Sequence, residues 1–237
     1  MPRSSTWLNP YHDRLLEYPE HILPFFGDAM RVEDAEVLQA KLDDHDGLVC
    51  ELGSGSGNHL VACAEQDPSR LHIGFEIRYK RAYKTGLKAD RSSLANVLVL
   101  RTSAERLLEF VPAGRVDTLH VNFPEPWNDG RLRRRRLVGS TFLESIRDSL
   151  RVGGELRFKT DHEGYFAQVR RLVEGSSRLD LEHWTEDLDQ SPFAKGNIET
   201  EFEIMFRRYD APIRFLIARA IGPAGEECGD RVQRLSP

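Results

Sequence analysis

The chain has 237 residues, of which 40% are hydrophobic, enough for one sizeable α/β core but too few for two full domains. It lacks the run of about 18 apolar residues that a membrane span needs, and Met1–Ser5 lacks the apolar core of a signal peptide, so we expect a cytoplasmic protein without a membrane partner. The net charge of −5 argues against a generally cationic nucleic-acid binder. The cysteines form no C-x-x-C pair and no two histidines lie at i, i+4, so neither disulfides nor a metal centre are indicated.

Residues 1–44 are polar, are interrupted by prolines and show a helical pattern only from about Val32 to Leu42. We interpret them as an N-terminal extension. Strands and helices then alternate over residues 45–220, which we expect to be one domain. Residues 221–237 are rich in Gly, Pro and charge without an apolar period, which predicts a disordered tail.

A buried strand and a glycine-rich turn lie between Leu48 and Gly57, followed by a helix-compatible run from Asn58 to Gln66. Glycine is needed where a side chain would block a bound molecule or where φ is positive, so we interpret the turn as a binding loop. The dinucleotide fingerprint G-x-G-x-x-G would need a glycine at Asn58, whereas G-x-G-x-G is commoner in loops that bind S-adenosylmethionine. A turn without a ligand is the alternative, and the motif alone does not decide between the two.

Two acidic residues strengthen the ligand interpretation. Glu76 follows the next strand, Leu71–Phe75, at a separation from Gly53 of about 20 residues, where a carboxylate can accept both hydroxyls of a ribose. Glu51 comes directly before the loop and is placed to face the amino end of the cofactor. Together with the glycines they favour a nucleoside-containing ligand.

The next segments are a helix, a strand and a short helix, predicted over Arg78–Ser93, Asn96–Leu100 and Ala104–Phe110. A fourth strand, Val116–Phe123, ends at a Pro-Glu-Pro turn because proline cannot continue the ladder of hydrogen bonds. Ligands of open α/β sheets bind at the carboxyl edge of the strands. Asn122, Glu125 and Trp127 should therefore lie on the same rim as the glycine loop.

The last third of the chain continues the alternation with the helix Ser140–Leu150, the strand Glu155–Thr160, the helix Glu163–Val173 and the strands Leu179–Trp184 and Ile213–Ala220. Val152–Gly154 is the expected stop after the first of these helices, and Asp161 is carried to the rim by the strand before it. A polar loop is expected up to Glu203. The whole pattern predicts an α/β fold with a mainly parallel sheet and helices on both faces.

Four motifs occur in one order with fitting separations: NFPEPW at Asn122–Trp127, RRL at Arg135–Leu137, FKTD at Phe158–Asp161 and NIETEFE at Asn197–Glu203. Together they resemble the bacterial tRNA (guanine-N7)-methyltransferase family over roughly residues 45–220, and four coincident motifs are far more specific than one. The resemblance implies a Rossmann-like class I methyltransferase with a seven-stranded sheet. It also implies S-adenosylmethionine as cofactor and a guanine of the tRNA variable loop as methyl acceptor.

The loop, the acidic strand ends and the resemblance together assign the cofactor to residues at the ends of the strands, namely Glu51, Gly53, Ser54, Gly55, Gly57, Glu76, Ile77, Ser103, Ala104, Asn122 and Glu125. The resemblance implies substrate contacts for Trp127, Asp129, Asp161, Thr200 and Glu203. Thr200 and Glu203 match a T-x-x-E stretch that is thought to close over the substrate in the family. From spacing alone these two residues would belong to an ordinary polar loop.

Methylation of guanine at N7 needs no proton to be removed first, because N7 already carries a lone pair. Positioning and charge stabilisation should therefore dominate over general-base catalysis. The methylated ring is cationic, so its N1–H and N2–H₂ become better donors and a carboxylate binds the transition state more tightly than the ground state. Glu125 and Asp161 are the candidates, and the resemblance makes Glu125 the catalytic carboxylate, with a turn-capping acid as the alternative. For Trp127, stacking on the guanine and packing beside the prolines are equally compatible with the sequence.

The most basic segment of the chain packs five arginines into six residues, Arg131, Arg133, Arg134, Arg135 and Arg136. A run of charge is ordinarily a solvated surface. This run leaves the rim beside the expected reaction centre of an otherwise acidic protein, where phosphates would relieve its self-repulsion. The pattern favours contact with tRNA.

Three residues depart from the family's usual pattern. Ser103 stands where an Asp usually accepts from the adenine amino group, Glu125 is one methylene longer than the usual Asp, and Asp129 replaces a common lysine. Two other functions therefore stay open: a methyltransferase of the same fold with another RNA or a small molecule as acceptor, and a non-catalytic RNA-binding relative. Monomer and homodimer are equally compatible with the sequence.

Overall fold

The structure is a computed structural model that describes residues 9–26 and 30–222. The strands are β1 (Ile22–Leu23), β2 (Gly47–Leu52), β3 (Arg70–Phe75), β4 (Val97–Leu100), β5 (Val116–Asn122), β6 (Leu150–Thr160), β7 (Leu179–Thr185) and β8 (Arg214–Ala220). The α-helices are α1 (Val32–Asp43), α2 (Asn58–Gln66), α3 (Tyr79–Arg91), α4 (Leu107–Phe110), α5 (Ser140–Ser149), α6 (Glu163–Glu174) and α7 (Glu201–Arg207).

All eight strands belong to one sheet with the order β1-β4-β3-β2-β5-β6-β8-β7. The pairs from β1 to β6 are parallel, while β8 runs antiparallel to both of its neighbours, β6 and β7. The chain works outward from β2 towards β4, then returns to the centre and continues from β5 on the other side. The predicted Rossmann-like fold is confirmed, and β2 and β5 form its topological switch point.

Alternate side chains of the central strands enter different layers, as the two-residue period of a strand requires. Leu98 and Leu100 of β4 belong to the large core with side chains of α1, α5 and α6, whereas Val97 packs with α2 and α3. Both faces of the sheet are therefore covered by helices. This explains why β2 and β4 are almost continuously apolar in sequence.

The expected count of seven strands is wrong by one. Ile22 and Leu23 pair in parallel with Val99 and Leu100 and add β1 at the edge of the sheet. Leu15 and Ile22 are fully buried against α3. A two-residue strand carries too little pattern to be recognised in sequence, and its pairing partner lies more than seventy residues away.

Two element boundaries also differ from expectation. Val152–Gly154 does not end the ordered segment, because β6 begins at Leu150 and passes through it, with a register shift opposite β5. Gly153 takes a φ of +80°, the left-handed conformation that glycine adopts without penalty. The predicted polar loop up to Glu203 contains the first turn of α7. Of the predicted tail over 221–237, only residues 221 and 222 lie within the described ranges.

Candidate active site

A cavity of about 280 Å³ opens at the carboxyl ends of the strands, at the switch point between β2 and β5. The predicted cofactor residues that line it are Glu51, Gly53, Ser54, Gly55, Glu76, Ile77, Ser103, Ala104, Asn122 and Glu125. We call residues 51–57, Glu76 and Ile77 the cofactor side. Residues 123–137, which border the other end of the cavity, are called the acceptor side.

The glycine loop is held to the sheet by its own backbone. The amides of Gly53 and Ser54 both donate to the carbonyl of Phe75, at 2.9 and 3.0 Å. Gly53 and Gly55 take φ values of +77° and +59° and face the cavity. Only glycine reaches that conformation without strain, so the loop presents bare backbone to whatever the cavity binds.

Gly57 has a different task from the other two glycines. It is not among the lining residues but occupies the N-cap of α2 with a φ of +76°. A Cβ at this position would lie 2.5 Å from Oγ1 and 2.6 Å from Cγ2 of Thr85 on α3. Its glycine is therefore needed so that α3 can approach the loop.

Glu76 is buried, and backbone amides of two neighbouring turns fix its carboxylate. One oxygen accepts from the amide of Gly55 at 3.0 Å and the other from that of Arg78 at 2.7 Å. Burial raises the pKa of Glu76, and these hydrogen bonds oppose the rise. Glu76 also lines the cavity, beside the exposed Ile77, and each of its oxygens can accept a further hydrogen bond.

Glu51 lies at the floor of the cavity and is only 3% exposed. Its Oε1 accepts from the amide nitrogen of Asn122 at 2.9 Å and lies 3.3 Å from Nδ1 of His59. Within the described part of the chain, Oε2 of Glu51, Oγ of Ser54 and Oδ1 of Asn122 are buried without a hydrogen-bond partner. Unpaired buried polar atoms are costly, so this floor requires a ligand that brings donors.

His59, on the first turn of α2, balances the charge of this floor. Burial alone would lower the pKa of His59, but the Glu51 carboxylate and the neighbouring Cys63 raise it to about 10. The ring of His120 lies 4.8 Å away, and burial together with the charge of His59 holds the pKa of His120 well below its ordinary value. One histidine of the pair is thus cationic and the other neutral at pH 7.

The adenine end expected from the sequence is formed by the corner after β4. Thr102, Ser103 and Ala104 line the cavity there. The hydroxyl of Ser103 accepts from the amide of Glu105 at 3.3 Å and caps a short 3-10 helix. The hydroxyl retains a proton that it can donate to a ligand.

The acceptor side begins with a bent segment after β5. Phe123 and Trp127 take φ values of +49° and +43°, in the left-handed region that residues with large side chains rarely occupy. Between them Glu125 is exposed on the cavity wall, and within the described residues its carboxylate forms no hydrogen bond or ion pair. Trp127 also lines the cavity, with the guanidinium of Arg135 5.7 Å from the centre of its ring.

The arginine run divides into two groups. Arg131, Arg133, Arg134 and Arg135 are exposed, and Arg135 lines the cavity. Arg136 is only 6% exposed and donates to the carbonyl of Pro126 at 2.7 Å and to the side-chain oxygen of Gln168 at 2.7 Å. The prediction that Arg136 reaches RNA conflicts with this placement, because its guanidinium faces inward and ties the acceptor side to α6.

The T-x-x-E stretch is a capping box at the start of α7. The hydroxyl of Thr200 accepts from the amide of Glu203 at 3.0 Å, and Thr200 lines the cavity while Glu203 does not. Glu203 is 0% exposed and pairs with Lys159 at 3.1 Å and with Arg207 at 2.9 Å. The expectation of a plain polar loop is therefore wrong, although S/T-x-x-E is itself a sequence signature of a helix start.

The two remaining predicted substrate residues lie outside the cavity lining. Asp129 is exposed, and its carboxylate accepts from the amide of Arg131 at 2.9 Å within the arginine loop. Asp161 follows β6, and its backbone carbonyl accepts from Arg214 at 2.7 Å. The structure thus brings Trp127 and Thr200 to the cavity but leaves Asp129, Asp161 and Glu203 away from its wall.

The comparisons with known proteins agree with this geometry. A sequence model of the family described as "Putative methyltransferase" matches residues 45–216. A tRNA (guanine-N(7)-)-methyltransferase of Exiguobacterium sp. is 33% identical over 86% of this chain and 92% of its own length. The enzyme of the same name from Mycoplasma genitalium is 33% identical over 73% of this chain and 84% of its own length.

The chain belongs to the tRNA (guanine-N(7)-)-methyltransferase family. A bifunctional glycosyltransferase/methyltransferase of Fusobacterium nucleatum is 32% identical over 84% of this chain, which spans only 30% of that longer protein. Among solved structures, the 16S rRNA methyltransferase KamB matches with a TM-score of 0.60 and 22% identity over 83% of this chain and 96% of its own. At that identity the likeness shows the methyltransferase fold alone.

Sequence reasoning missed two residues that line the cavity, His59 and Phe202, and a third, Lys159, that supports it through Glu203. His59 carries no motif, and only its spacing after Gly57 would place it beneath Glu51. Lys159 lies inside the FKTD motif between the buried Phe158 and Thr160, and a lysine in buried surroundings is the signal that it has a charged partner. Phe202 lines the cavity from the first turn of α7.

Residues 9–26 and 30–222 contain neither a metal-binding cluster nor a membrane-spanning helix. No group of three or more His, Cys, Asp or Glu side chains there is arranged to hold a metal ion. In the same ranges no helix is long and apolar enough to cross a membrane.

Proposed function

We propose that this protein transfers the methyl group of S-adenosylmethionine to N7 of a guanine in the variable loop of tRNA. The observation that carries the proposal is one cavity with a carboxylate of opposite character at each end. Glu51 is buried with an unpaired oxygen at the cofactor side, and Glu125 is exposed without a partner at the acceptor side. The first suits a fixed cationic ligand group and the second a base that arrives from solvent.

The cofactor side offers a fitting partner for each polar part of S-adenosylmethionine. The free oxygen of Glu51 and that of Asn122 would accept from its ammonium group, which supplies the donors that this floor lacks. Glu76 would accept from the ribose hydroxyls, and Ser103 with Ala104 would border the adenine. When bound, the cofactor supplies a methyl group already activated on a sulfonium.

The acceptor side would position the guanine without removing a proton from it. Glu125 would accept from N1–H and N2–H₂ of the base, and these hydrogen bonds strengthen as the ring becomes cationic. Trp127 would stack on the base, a contact worth about 1–3 kcal/mol. The left-handed backbone at Phe123 and Trp127 would orient the side chains of Glu125 and Trp127 towards the cavity.

The other substrate assignments differ in how directly they would act. Thr200 would touch the base from the first turn of α7, and Glu203 would act through it by holding that turn in place. Contacts from Asp129 and Asp161 stay predictions that require the substrate to extend beyond the cavity. The exposed arginines Arg131, Arg133, Arg134 and Arg135 would contact phosphates of the tRNA. Because its substrate is tRNA, the enzyme would act in the cytoplasm.

The decisive experiment is transfer of labelled methyl from S-adenosylmethionine to unmodified tRNA, followed by aniline cleavage to locate 7-methylguanine. Wild-type protein should give cleavage at one variable-loop guanine. Glu125→Ala should lower the rate about 100-fold or more, since it removes the charge that stabilises the cationic ring. Glu125→Asp is the matched control, because it keeps the charge and shortens the side chain by one methylene.

Four outcomes would contradict the proposal. Incorporation of label without aniline cleavage of the RNA would indicate another acceptor atom. No incorporation despite measurable cofactor binding would indicate another acceptor molecule. Equal rates for wild type and Glu125→Ala would remove Glu125 from the chemistry. Failure to bind S-adenosylmethionine by calorimetry would leave an RNA-binding relative without catalysis.

A further inference from the structure

The surface of α3 carries a basic stripe, of which only Arg81 also lines the cavity. Its members are Lys80, Arg81, Lys84, Lys88 and Arg91, which we call the basic face of α3. With 3.6 residues per turn, the five side chains fall within an arc of about 100° around the helix axis and extend over about 16 Å along it. The acidic residue of the helix, Asp90, points away from this arc.

Several arginines elsewhere in the protein are paired with carboxylates. Arginines of α5, α6, α7, β6 and β8 form ion pairs with nearby Asp or Glu. Among residues 9–26 and 30–222, none of the five cations of the basic face of α3 has a carboxylate within ion-pair distance. The exposed arginines Arg131, Arg133, Arg134 and Arg135 share this property with the face.

Like charges spaced i, i+4 destabilise a helix, and Lys80, Lys84 and Lys88 follow one another at that spacing. A chain with a net charge of −5 has acidic residues enough to break such a stripe. The stripe therefore produces a positive electrostatic potential that an external polyanion would neutralise.

The position of the basic face relates it to the cavity. Arg78 and Arg81, at the start of α3, line the cavity on the cofactor side, while Arg135 lines it on the acceptor side. Lys88 donates to the carbonyl of Ser56 in the glycine loop at 2.6 Å and to the side-chain oxygen of Asn58, so the face reaches that loop at Lys88. Lys80, Lys84 and Arg91 are exposed and point to solvent.

We propose that the basic face of α3 binds phosphates of the RNA substrate. The RNA then crosses the cavity and is held on both flanks, by α3 on one and by Arg131–Arg135 on the other. The inference rests on the proposed function, because it takes the substrate to be RNA. It adds a second contact surface that would fix the angle at which the acceptor base enters.

The test is the salt dependence of tRNA binding by the full chain with Lys80→Ala/Lys84→Ala. Each phosphate contact contributes about 0.7–0.9 to the slope of log K against log salt, so the double variant should lower the slope by about 1.4–1.8 and raise KM for tRNA. Affinity for S-adenosylmethionine should stay at the wild-type value, because neither lysine lines the cavity. Lys80→Arg/Lys84→Arg keeps both charges and should restore the slope.

The matched control is Arg151→Ala/Arg171→Ala, which removes two charges from the amino end of β6 and the last turn of α6. It should leave the slope unchanged. If Lys80→Ala/Lys84→Ala methylates tRNA with the wild-type slope and KM, the basic face binds no RNA and the inference is overturned while the proposed function stands. If the wild-type protein neither binds nor methylates tRNA, the proposed function falls and takes this inference with it.

Discussion

The two ends of the cavity are built in opposite ways. On the cofactor side, Glu51 and Glu76 are buried and each oxygen that is engaged has a defined donor at 2.7–3.3 Å. On the acceptor side, Glu125 is exposed and has no partner among the described residues. Its direction comes from the backbone instead, through the left-handed residues Phe123 and Trp127 and the prolines between them.

The difference separates two ways of pre-organising a site. A buried carboxylate is held by its hydrogen-bond and ion-pair partners, and removal of one partner strongly destabilises the fold. Substitutions are therefore poorly tolerated on the cofactor side. A bent backbone fixes only where the side chain leaves the chain, so we expect Glu125 to be less constrained than the buried carboxylates of the cofactor side. The three departures from the family pattern lie at exposed or half-exposed positions, as this distinction requires.

The largest effect on stability is expected for Lys159→Met. The variant leaves Glu203 fully buried with only the partly exposed Arg207 as a counter-charge, which should lower the free energy of unfolding by about 3–5 kcal/mol in chemical denaturation. Lys159→Met/Glu203→Gln should recover much of that loss. Arg70→Met, which breaks an exposed pair with Asp67, should cost less than about 1 kcal/mol.

A loss for Lys159→Met as small as that for Arg70→Met would break the comparison, because the buried pair would then behave like a surface pair. It would also indicate that Glu203 is not needed to hold Thr200 at the cavity.

A smaller effect is expected for Gly57→Ala, where left-handed strain adds to the clash with Thr85. The sum should lower the free energy of unfolding by about 2–4 kcal/mol. Gly114→Ala is the matched control, since Gly114 has a φ of +70° and open space around the added methyl group. It should cost about 1 kcal/mol. Equal losses in thermal melts of the two variants would show that α3 moves aside, and the cofactor side would then be less rigid than described.

The smallest effect, for a change of one pH unit, is expected from the Glu51–His59 pair, which makes the free energy of unfolding depend on pH. Because the pKa of His59 is raised to about 10 from about 6.5, the folded state holds one more proton than the unfolded state between those values. The stabilisation is complete below about pH 6.5 and is lost as pH rises towards 10, at most about 1.4 kcal/mol per pH unit. Glu51→Gln should remove this slope and return the imidazole of His59 to neutrality at pH 7.

Nitrogen-15 NMR of the histidine rings checks this directly. Wild-type His59 should remain protonated at pH 8 while the ring of His120 remains neutral. A His59 that titrates near pH 6.5 in the wild-type protein would contradict the charge balance assigned to the floor of the cavity.

The cofactor side could be predicted from sequence because its chemistry is local. Gly53, Gly55 and Glu76 follow strand ends at spacings that the fold dictates, and the structure places all three at the cavity. The pairing of Lys159 with Glu203 joins residues 44 positions apart, and no periodicity encodes it. The inward orientation of Arg136 could not be predicted for another reason: the four other arginines of the run have the same side chain, and only the tertiary contact with α6 distinguishes Arg136 from them.

The antiparallel β8 sets an order of assembly during synthesis. β7 hydrogen-bonds only to β8 within the described sheet, and β8 lies between β7 and β6 although it follows both in the chain. At about 5–20 residues per second, the ribosome needs roughly 2–7 s to add the residues that separate the end of β7 from the end of β8. During that interval the edge of β6 and both edges of β7 remain unpaired, and this part of the nascent chain is the one that a chaperone would have to shield.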